Sequence, residues 1–317
     1  MKSKTSNKVV IIGAGYVGST LAYSLMQTSM ISELAIIDIN PEKVEGEVMD
    51  LNHGLPFAKP MTIKVGTYED CKDADLIVMT AGPSIQPGGT RLDLAKQNAN
   101  IMESVMYEIV KHTRDAIILV ASNPVDILTQ VAVESVGYDP KKVIGSGTVL
   151  DSARFRYLLS QHCGIDARNI HGYILGEHGD SEVAAWSLTN ISGTRLDAYC
   201  ETCINHCDNA TREEIFRKVR DAGYDVIARK DATQYGVSLA IRRIIEAILR
   251  NENSILTVSS VLQGQYGIND IALSVPTIVN SEGIERVLEL PLEPVETKQL
   301  LASSQKLKGI LEHIGYK

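Results

Sequence analysis

Two short segments in the second half of the chain contain side chains that could together move a proton and hold an anion. Asp151-Ser-Ala-Arg154 places a carboxylate and a guanidinium three residues apart, and Gly176-Glu-His178-Gly-Asp180 places an imidazole in a glycine-flanked turn. Imidazole serves as base or acid near neutral pH, which is what removing or returning the proton of an alcohol requires. A guanidinium binds a carboxylate through two parallel hydrogen bonds. These residue types indicate hydride transfer to or from a small hydroxy acid.

Each of these groups also has an ordinary explanation. In the catalytic interpretation Asp151 accepts a hydrogen bond from His178 and favours the protonated imidazole, while Arg154, one helical turn on, faces the same way. In the ordinary one, Asp151 and Arg154 form a surface salt bridge and His178 is a hydrogen-bonded residue without a catalytic role. The distance between His178 and Asp151 in the fold decides between the two.

A glycine-rich turn near the N-terminus predicts a dinucleotide site. Gly13-Ala-Gly15-Tyr16-Val17-Gly18 follows an apolar run at 9–12 and precedes a helical pattern. In such turns the first glycine permits the tight turn, the second lets backbone approach a pyrophosphate, and the third lets the helix pack on the strand. Asp38 stands twenty positions after Gly18, where the site needs an acid for the ribose hydroxyls. Ile39 and Asn40 follow with no arginine for a 2′-phosphate, so we predict NAD rather than NADP.

Apolar runs and helical patterns alternate through the first half of the chain, which predicts an α/β fold with a parallel sheet covered on both faces. Strands are predicted at 9–12, 34–37, 76–79 and 116–120, with helices at 16–30 and 98–112. Helical stretches then mix with β-rich ones: helices at 151–163, 212–230, 237–249 and 295–314, strands at 255–262 and 271–279. We predict a Rossmann NAD-binding domain over 7–146 and an α+β catalytic domain over 147–317, sharing an interface.

Length, charge and composition exclude several other classes of protein. The 317 residues carry a formal charge of −8 with a pI near 5.4, so the positive surface typical of nucleic-acid or anionic-membrane binding is not expected. No apolar run reaches the roughly 18 residues that cross a bilayer, and residues 1–7 lack the apolar core of a signal peptide. We therefore expect a cytoplasmic protein.

One cysteine cluster offers a different function. Cys200-x-x-Cys203-x-x-His206-Cys207 contains four soft ligands within eight residues, so a zinc or redox module is an alternative. The cysteines are also spaced i, i+3, i+7, which places them on one stripe of an amphipathic helix, where cysteine behaves as a small apolar residue. The sequence has no second ligand pair at zinc-finger spacing. We predict a helix here and no metal.

A series of motifs along nearly the whole chain resembles the lactate and malate dehydrogenase family. In family order these are Gly13–Gly18, Asp38, Thr90-Arg91-Leu-Asp-Leu94, Ser122-Asn123-Pro-Val-Asp126, Gly145-Ser-Gly-Thr-Val-Leu-Asp151-Ser-Ala-Arg154 and Gly176–Asp180. The resemblance implies NAD-dependent interconversion of pyruvate and L-lactate in fermentation and glycolysis. It gives His178 the role of acid and base, Asp151 that of its orienting partner, and Arg154 that of the group holding the substrate carboxylate.

The same resemblance implies roles for residues that the chemistry alone does not single out. Arg91, on a loop that closes over the site, would polarise the substrate carbonyl. Asn123 would lie beside nicotinamide and substrate, and Thr233 would line the pocket. Ala81, Gly82 and Ser122 would join the glycine turn in contacting the cofactor.

The loop before Arg91 departs from the family pattern. Lactate dehydrogenases of the family usually have glutamine, and malate dehydrogenases arginine, where this chain has Ile85. The second carboxylate of oxaloacetate would meet no cation there, so malate activity is disfavoured. Ile85 could widen tolerance for larger aliphatic 2-oxo acids, as in hydroxyisocaproate-type enzymes, or pack on the pyruvate methyl; Gln86 could swing in instead. We expect good reduction of 2-oxobutyrate and 2-oxoisocaproate relative to pyruvate.

Arg156 and His171 match positions that form an anion site between subunits in family members responding to fructose 1,6-bisphosphate. The resemblance implies a homotetramer activated by this effector, and the alternative is a pair of surface cations. A catalytically silent NAD-binding protein is a further alternative, but it would have no need of Arg91, Asp151, Arg154 and His178 together.

Overall fold

The four strands predicted in the first half of the chain form a parallel sheet together with two that were not predicted, Thr62–Val65 and Val143–Gly145. The computed structural model describes residues 7–83, 90–203, 205 and 207–316, without the side chains of Arg91 and Thr202. In chain order these strands are β1 (Lys8–Ile12), β2 (Glu33–Ile37), β3 (Thr62–Val65), β4 (Leu76–Met79), β5 (Ile117–Val120) and β6 (Val143–Gly145). They lie in the order β3-β2-β1-β4-β5-β6, and every neighbouring pair is parallel. This order confirms the predicted Rossmann fold.

Helices cover both faces of this sheet. They are α1 (Tyr16–Met26), α2 (Pro41–Gly54), α3 (Arg91–Val110) and α4 (Val125–Glu134). All residues of β1, β4 and β5 are buried, as expected of apolar runs in a sheet with no water-facing side. Val10 belongs to the core cluster that contains residues of α3 and α4, and its neighbour Val9 to the cluster that contains residues of α1, because successive strand residues point to opposite faces.

The second half of the chain extends the same sheet with antiparallel strands. Its elements are, in chain order, α5 (Val149–Cys163), β7 (Ile170–His171), β8 (Ile174–Gly176), β9 (Glu182–Ala184), β10 (Asn190–Ile191), β11 (Thr194–Arg195), α6 (Leu196–Thr202), α7 (Asn209–Lys230), α8 (Tyr235–Leu249), β12 (Ser254–Gln263), β13 (Asn269–Asn280), β14 (Gly283–Val287) and α9 (Pro294–Ile314). Beyond β6 the sheet continues through β12, β13, β8 and β9, with β14 also on β13, while β7, β10 and β11 form a small separate sheet. Among the helices described, none is both long and apolar enough to cross a membrane.

The two halves are therefore joined through the sheet itself. Gly145 of β6 pairs with Ser259 of β12, so the last parallel strand of the first half lies directly beside the first long strand of the second. Helix α8 also packs against α1.

Several predicted helices have the wrong ends, and the helix predicted over 16–30 ends at Met26. The helix predicted from residue 98 begins at Arg91, because the side chain of Thr90 accepts the Asp93 N–H at 3.1 Å while the Asp93 carboxylate accepts the Thr90 N–H at 3.0 Å. The helix predicted across Cys200–Cys207 is wrong beyond Thr202, and Cys203 is extended. Asp208 already caps the next helix by accepting the Thr211 N–H at 2.8 Å, so the chain has to turn between the two.

A fourth cysteine, which the sequence pattern did not group with these three, lies beside them. Cys163, at the end of α5, lies beside Cys200, Cys203 and Cys207, and burial raises the pKa of its thiol to about 12. Within the described residues, which omit His206, no group of three or more histidine, cysteine or acidic side chains is arranged to hold a metal ion. Cys163, Cys200 and Cys207 pack into a small core with Phe155 and Leu159.

Candidate active site

The three residues singled out for chemistry come together around one buried carboxylate. Nδ1 of His178 lies 2.6 Å from Oδ2 of Asp151, and Nη1 of Arg154 donates to Oδ1 of the same carboxylate at 2.7 Å. The Asp151 side chain is 2% exposed, whereas those of His178 and Arg154 are 28% and 20% exposed. A surface salt bridge is therefore the wrong explanation. The buried acid orients two groups that still reach the solvent side of the site.

The carboxylate controls the charge on the imidazole. The negative charge of Asp151 raises the pKa of His178 to about 9, against the opposing effect of burial. Burial also opposes ionisation of Asp151, but the charges of His178 and Arg154 hold the pKa of that carboxyl below its ordinary value. Since Nδ1 is held by Asp151, Nε2 is the ring nitrogen available for a substrate proton.

Helix α5 is fixed against the strand that leads to His178. Thr148 donates its hydroxyl to the Ile174 carbonyl at 2.5 Å, and Ser152 Oγ accepts the Ile174 N–H at 2.9 Å. Both backbone groups of Ile174 in β8 are thus bound by the first turn of α5. This sets the position of Asp151 relative to His178, which follows β8 after one further residue.

The C-terminal helix α9 holds the turn that carries His178. The Glu177 N–H donates to Ser303 Oγ at 2.8 Å, and Lys306 Nζ donates to the Glu177 carboxylate at 2.7 Å. The same carboxylate accepts the Ser181 N–H at 3.1 Å, which closes the turn 177–181. Neither Ser303 nor Lys306 was predicted, because both lie more than 120 residues from the turn that they hold.

The glycine turn has the shape that a pyrophosphate requires. Gly13 has φ +112° and no room for a side chain, since a Cβ would lie 2.5 Å from the Ala81 nitrogen, and a Cβ on Gly18 would lie 1.9 Å from the Gly13 oxygen. A Cβ on Gly15 would meet no atom within 4 Å, so open space lies above the N-terminus of α1. Asp38 Oδ2 accepts the Ala14 N–H at 2.6 Å, which holds the acid beside this turn. These features fit NAD.

The remaining predicted cofactor residues lie at the carboxyl ends of neighbouring strands. Ser122 donates its hydroxyl to the Ala81 carbonyl at 2.5 Å, joining the ends of β5 and β4. Gly82 has φ +143°. Asn98 of α3 donates to the Asn123 carbonyl at 2.6 Å and was not predicted. In the glycine turn itself, Tyr16 is exposed and Val17 is half-buried at the start of α1. Ligands of open α/β sheets bind at this edge.

One cavity connects the two halves of the site. Asn123 of the first half and His178 of the second line it together with Ala121, Ser146, Gly147, Leu150, Val237 and Ala240. Thr233 is half-buried in the turn between α7 and α8 and is not among these lining residues. The cavity is thus formed where the proton-transfer group and the sheet edge meet.

Arg156 and His171 are not among the residues that line this cavity, and three further predicted residues are described only in part or not at all. Ile85 and Gln86 lie outside the described residues, and Arg91 is described only as the first backbone residue of α3. Arg156 is half-buried and donates from Nε to the Ser152 carbonyl at 3.2 Å, and His171 is exposed in β7.

Two buried acids beside His178 were missed. Asp126 accepts the backbone N–H of His178 at 2.8 Å. Glu182 is 6% exposed, its Oε1 has no hydrogen-bond partner among the described residues, and burial raises its pKa to about 9. Both lie in or next to motifs already singled out, Asp126 at the end of Ser122–Asp126 and Glu182 two residues after Asp180. An acid in a motif without an assigned role was the available clue.

Two family models match nearly the whole chain. Residues 7–145 match the NAD binding domain of lactate/malate dehydrogenase, and residues 148–315 match the alpha/beta C-terminal domain of lactate/malate dehydrogenase.

Individual relatives align with this chain over nearly their full length. The chain is 54% identical to an L-lactate dehydrogenase of Acetivibrio thermocellus over 310 residues, 98% of each chain. It is 50% identical to L-lactate dehydrogenase 1 of Clostridium acetobutylicum over 311 residues, 98% of this chain and 99% of that one. The crystal structure of the minor L-lactate dehydrogenase of Enterococcus mundtii in its ligands-bound form matches with a TM-score of 0.95 and 42% identity, covering 99% of this chain and 100% of that chain.

Proposed function

The chain belongs to the lactate/malate dehydrogenase family, and we propose that it interconverts pyruvate and L-lactate with NAD, using His178 as acid and base. The observation that carries the proposal is the 2.6 Å contact between His178 Nδ1 and the buried Asp151 carboxylate, which also holds Arg154. A protein that only bound NAD would not need a buried acid to charge an imidazole beside its cofactor cleft.

NAD, when bound, accepts hydride from the substrate carbon or returns it. The backbone of the turn 13–18 would hold the pyrophosphate at the N-terminus of α1, and Asp38 would bind ribose hydroxyls. Ala81, Gly82, Ser122 and Asn123 would follow the cofactor along the carboxyl ends of β4 and β5. Asn123 ends this row in the cavity that also contains His178.

His178 moves the proton of the reaction at Nε2. With a pKa of about 9 it is protonated at neutral pH and donates to the carbonyl oxygen as pyruvate is reduced. In the opposite direction its neutral form accepts the hydroxyl proton of L-lactate. The Asp151 charge stabilises the imidazolium and fixes the ring through Nδ1.

Arg154 is the candidate partner of the substrate carboxylate. Its Nη1 already donates to Asp151, so the acid fixes the guanidinium, and its other N–H groups, which have no partner among the described residues, can bind a planar carboxylate. We assign Arg91 to the substrate carbonyl and Thr233 to the pocket wall, both by the family resemblance.

The substrate side chain is set, in this proposal, by Ile85 and Gln86. Pyruvate is the main substrate, with larger aliphatic 2-oxo acids accepted, because one methylene in an apolar pocket changes affinity by only about 1–3 kcal/mol. A 2-hydroxyisocaproate-type activity is the second candidate, and the isoleucine at position 85 favours it.

A substrate panel tests this assignment. We expect pyruvate to be preferred to 2-oxoisocaproate by less than about a hundredfold in kcat/KM, and Ile85→Gln to shift the ratio towards pyruvate. Ile85→Leu, which conserves volume and polarity, is the matched control and should leave the ratio nearly unchanged. A stronger pyruvate preference in the wild type would contradict the broad pocket. NADH binding without turnover of any 2-oxo acid would contradict the enzyme itself.

We also propose that the enzyme is a cytoplasmic homotetramer activated by fructose 1,6-bisphosphate through Arg156 and His171. The exposure of His171 and the partial exposure of Arg156 support an anion site open to a neighbouring subunit. At mildly acidic pH, millimolar effector should lower the pyruvate concentration that gives half the maximal rate. Arg156→Gln should abolish this effect, whereas Arg168→Gln, at an exposed arginine, should not. Unchanged saturation in the wild type would count against the effector, and sedimentation measures the oligomer directly.

A further inference from the structure

Asp126 connects the first half of the chain to the catalytic turn of the second. It lies in the first turn of α4 and is 2% exposed. Its Oδ2 accepts the backbone N–H of His178 at 2.8 Å, and its Oδ1 accepts the hydroxyl of Ser274 at 3.2 Å. Both partners belong to the second half, one in the catalytic turn and one in β13. A buried carboxylate used in this way costs free energy unless its contacts compensate.

The segment that carries Asp126 also carries a residue of the cavity. Asn123, three residues earlier, lines the cavity that His178 also lines. The segment 123–126 therefore carries a cavity residue at one end and, at the other, the group that holds the His178 backbone. The Asp126 contact thus ties the turn that carries His178 to the segment that carries Asn123.

We propose that Asp126 is a positioning residue for the reaction: it fixes His178 relative to Asn123 and adds a second negative charge behind the imidazole. The inference rests on the proposed role of His178 as acid and base. It predicts that removing the charge of Asp126 lowers the pKa of the imidazole, whereas removing its contact with the His178 backbone lowers kcat.

The effect of the Asp126 charge can be distinguished from the effects of the other charged groups around His178. The imidazole is faced by Asp151 from α5, Asp126 from α4 and Glu182 from β9, with Arg154 as the nearby cation and Glu177 next in the chain. Burial raises the pKa of Asp126 to about 6, so its carboxylate is charged above that pH. Its charge acts on His178 in the same direction as that of Asp151, raising the imidazole pKa.

Asp126→Asn tests the charge while keeping the contacts. The amide oxygen can accept the His178 N–H and the amide nitrogen can donate to Ser274 Oγ. We expect the pH at which kcat/KM for pyruvate falls to move down by about half a unit or more, with an unfolding midpoint at pH 7.5 no lower than that of the wild type. Asp115→Asn, which removes an exposed acid, should leave the pH profile unchanged.

Asp126→Ala tests the contact. It leaves the His178 N–H unpaired and frees the turn, and a displacement of about 1 Å is enough to lower kcat about a hundredfold. The KM for pyruvate should change much less, because Arg154 and Asp151 remain, and the Kd for NADH should be that of the wild type. Ser274→Ala, which removes one hydrogen bond and no charge, should have a small effect on both.

Titration of His178 by NMR keeps this test independent of turnover. The imidazole signal is identified by its loss in His178→Gln, and we expect Asp126→Asn to lower its titration midpoint. An unshifted midpoint and pH profile, with only a lowered unfolding midpoint in Asp126→Ala, would overturn the inference and leave Asp126 a structural residue. Absence of turnover in the wild type would instead contradict the proposed function, and the NMR shift would still be measurable.

Discussion

Replacing Asp151 by asparagine should remove most of the driving force that keeps His178 protonated. The carboxylate is 2% exposed, lies 2.6 Å from Nδ1 and is the main reason that the pKa of His178 rises from 6.5 to about 9. That rise corresponds to about 3 kcal/mol of stabilisation of the imidazolium. With it gone, burial lowers the pKa of the ring against only the smaller opposing effects of Asp126 and Glu182, and we expect that pKa to fall to about 6.5 or below.

At pH 7.5 this change removes about nine tenths of the protonated enzyme, a tenfold loss in kcat/KM for pyruvate from protonation alone. The loss of ring orientation and of imidazolium stabilisation adds to it, so the total decrease should be about 10² to 10⁴-fold. The assay is steady-state NADH oxidation with pyruvate from pH 5 to 10, with NADH affinity measured by fluorescence in parallel. Asp166→Asn is the matched control, because Asp166 makes an equivalent contact with Arg168 at an exposed site.

The reasoning is refuted if Asp151→Asn keeps the wild-type pH at which activity falls and loses less than tenfold in kcat/KM. A variant that fails to bind NADH would show a general folding defect. Its unfolding curve, compared with that of the Asp166→Asn control, identifies such a defect.

The remaining predictions concern the wild-type pH profile, substrate affinity, cofactor affinity and stability. Since His178 has a pKa of about 9, pyruvate reduction should decline as the pH rises through about 9, whereas L-lactate oxidation should rise over the same range in kcat/KM profiles. Arg154→Gln should raise the KM for pyruvate about a hundredfold or more without changing the NADH Kd, and Arg154→Lys, a point charge, should recover only part of the loss. Gly15→Ala should fold with a wild-type unfolding midpoint but raise the NADH Kd about tenfold or more, whereas Gly18→Ala should lower the unfolding midpoint, because its Cβ would lie 1.9 Å from the Gly13 oxygen. Burial raises the pKa of Glu182 from 4.5 to about 9, so its stabilisation is present below pH 4.5 and is lost as the pH rises through about 9; Glu182→Gln should therefore flatten the fall in the free energy of unfolding over that range, measured by urea denaturation.

Local patterns predicted those parts of the site that depend on neighbouring residues. The helical period places Asp151 and Arg154 on one face, and the spacing of the glycine turn and Asp38 is dictated by a strand, a turn and a helix of ordinary length. The same kind of reasoning failed for the stretch Cys200–Cys207. A helical stripe fits those cysteines, but the N-cap at Asp208 ends the possibility of one continuous helix.

Contacts between distant residues could not be predicted in this way. Asp126 and His178 are 52 residues apart, and Lys306 and Glu177 are 129 residues apart. An acid at position 126 fits the first turn of any helix, because it complements the helix dipole, so the residue type gave no reason to expect a catalytic partner. The pairing of β6 with β12 joins the two halves of the chain, and β13 then brings β8 alongside, which lets Asp126 meet His178. Lys306 reaches Glu177 from α9, which packs against β8 and β9.

The central claim is that His178 transfers the substrate proton while the rest of the chain binds NAD and the 2-oxo acid. Single-turnover oxidation of enzyme-bound NADH by pyruvate at pH 7.5, comparing wild type with His178→Gln, tests it most directly. We expect rapid oxidation by the wild type and a rate at least about a thousandfold lower in the variant, with equal NADH affinity in both. Equal rates in the two proteins, or no pyruvate-dependent oxidation by the wild type, would contradict the account.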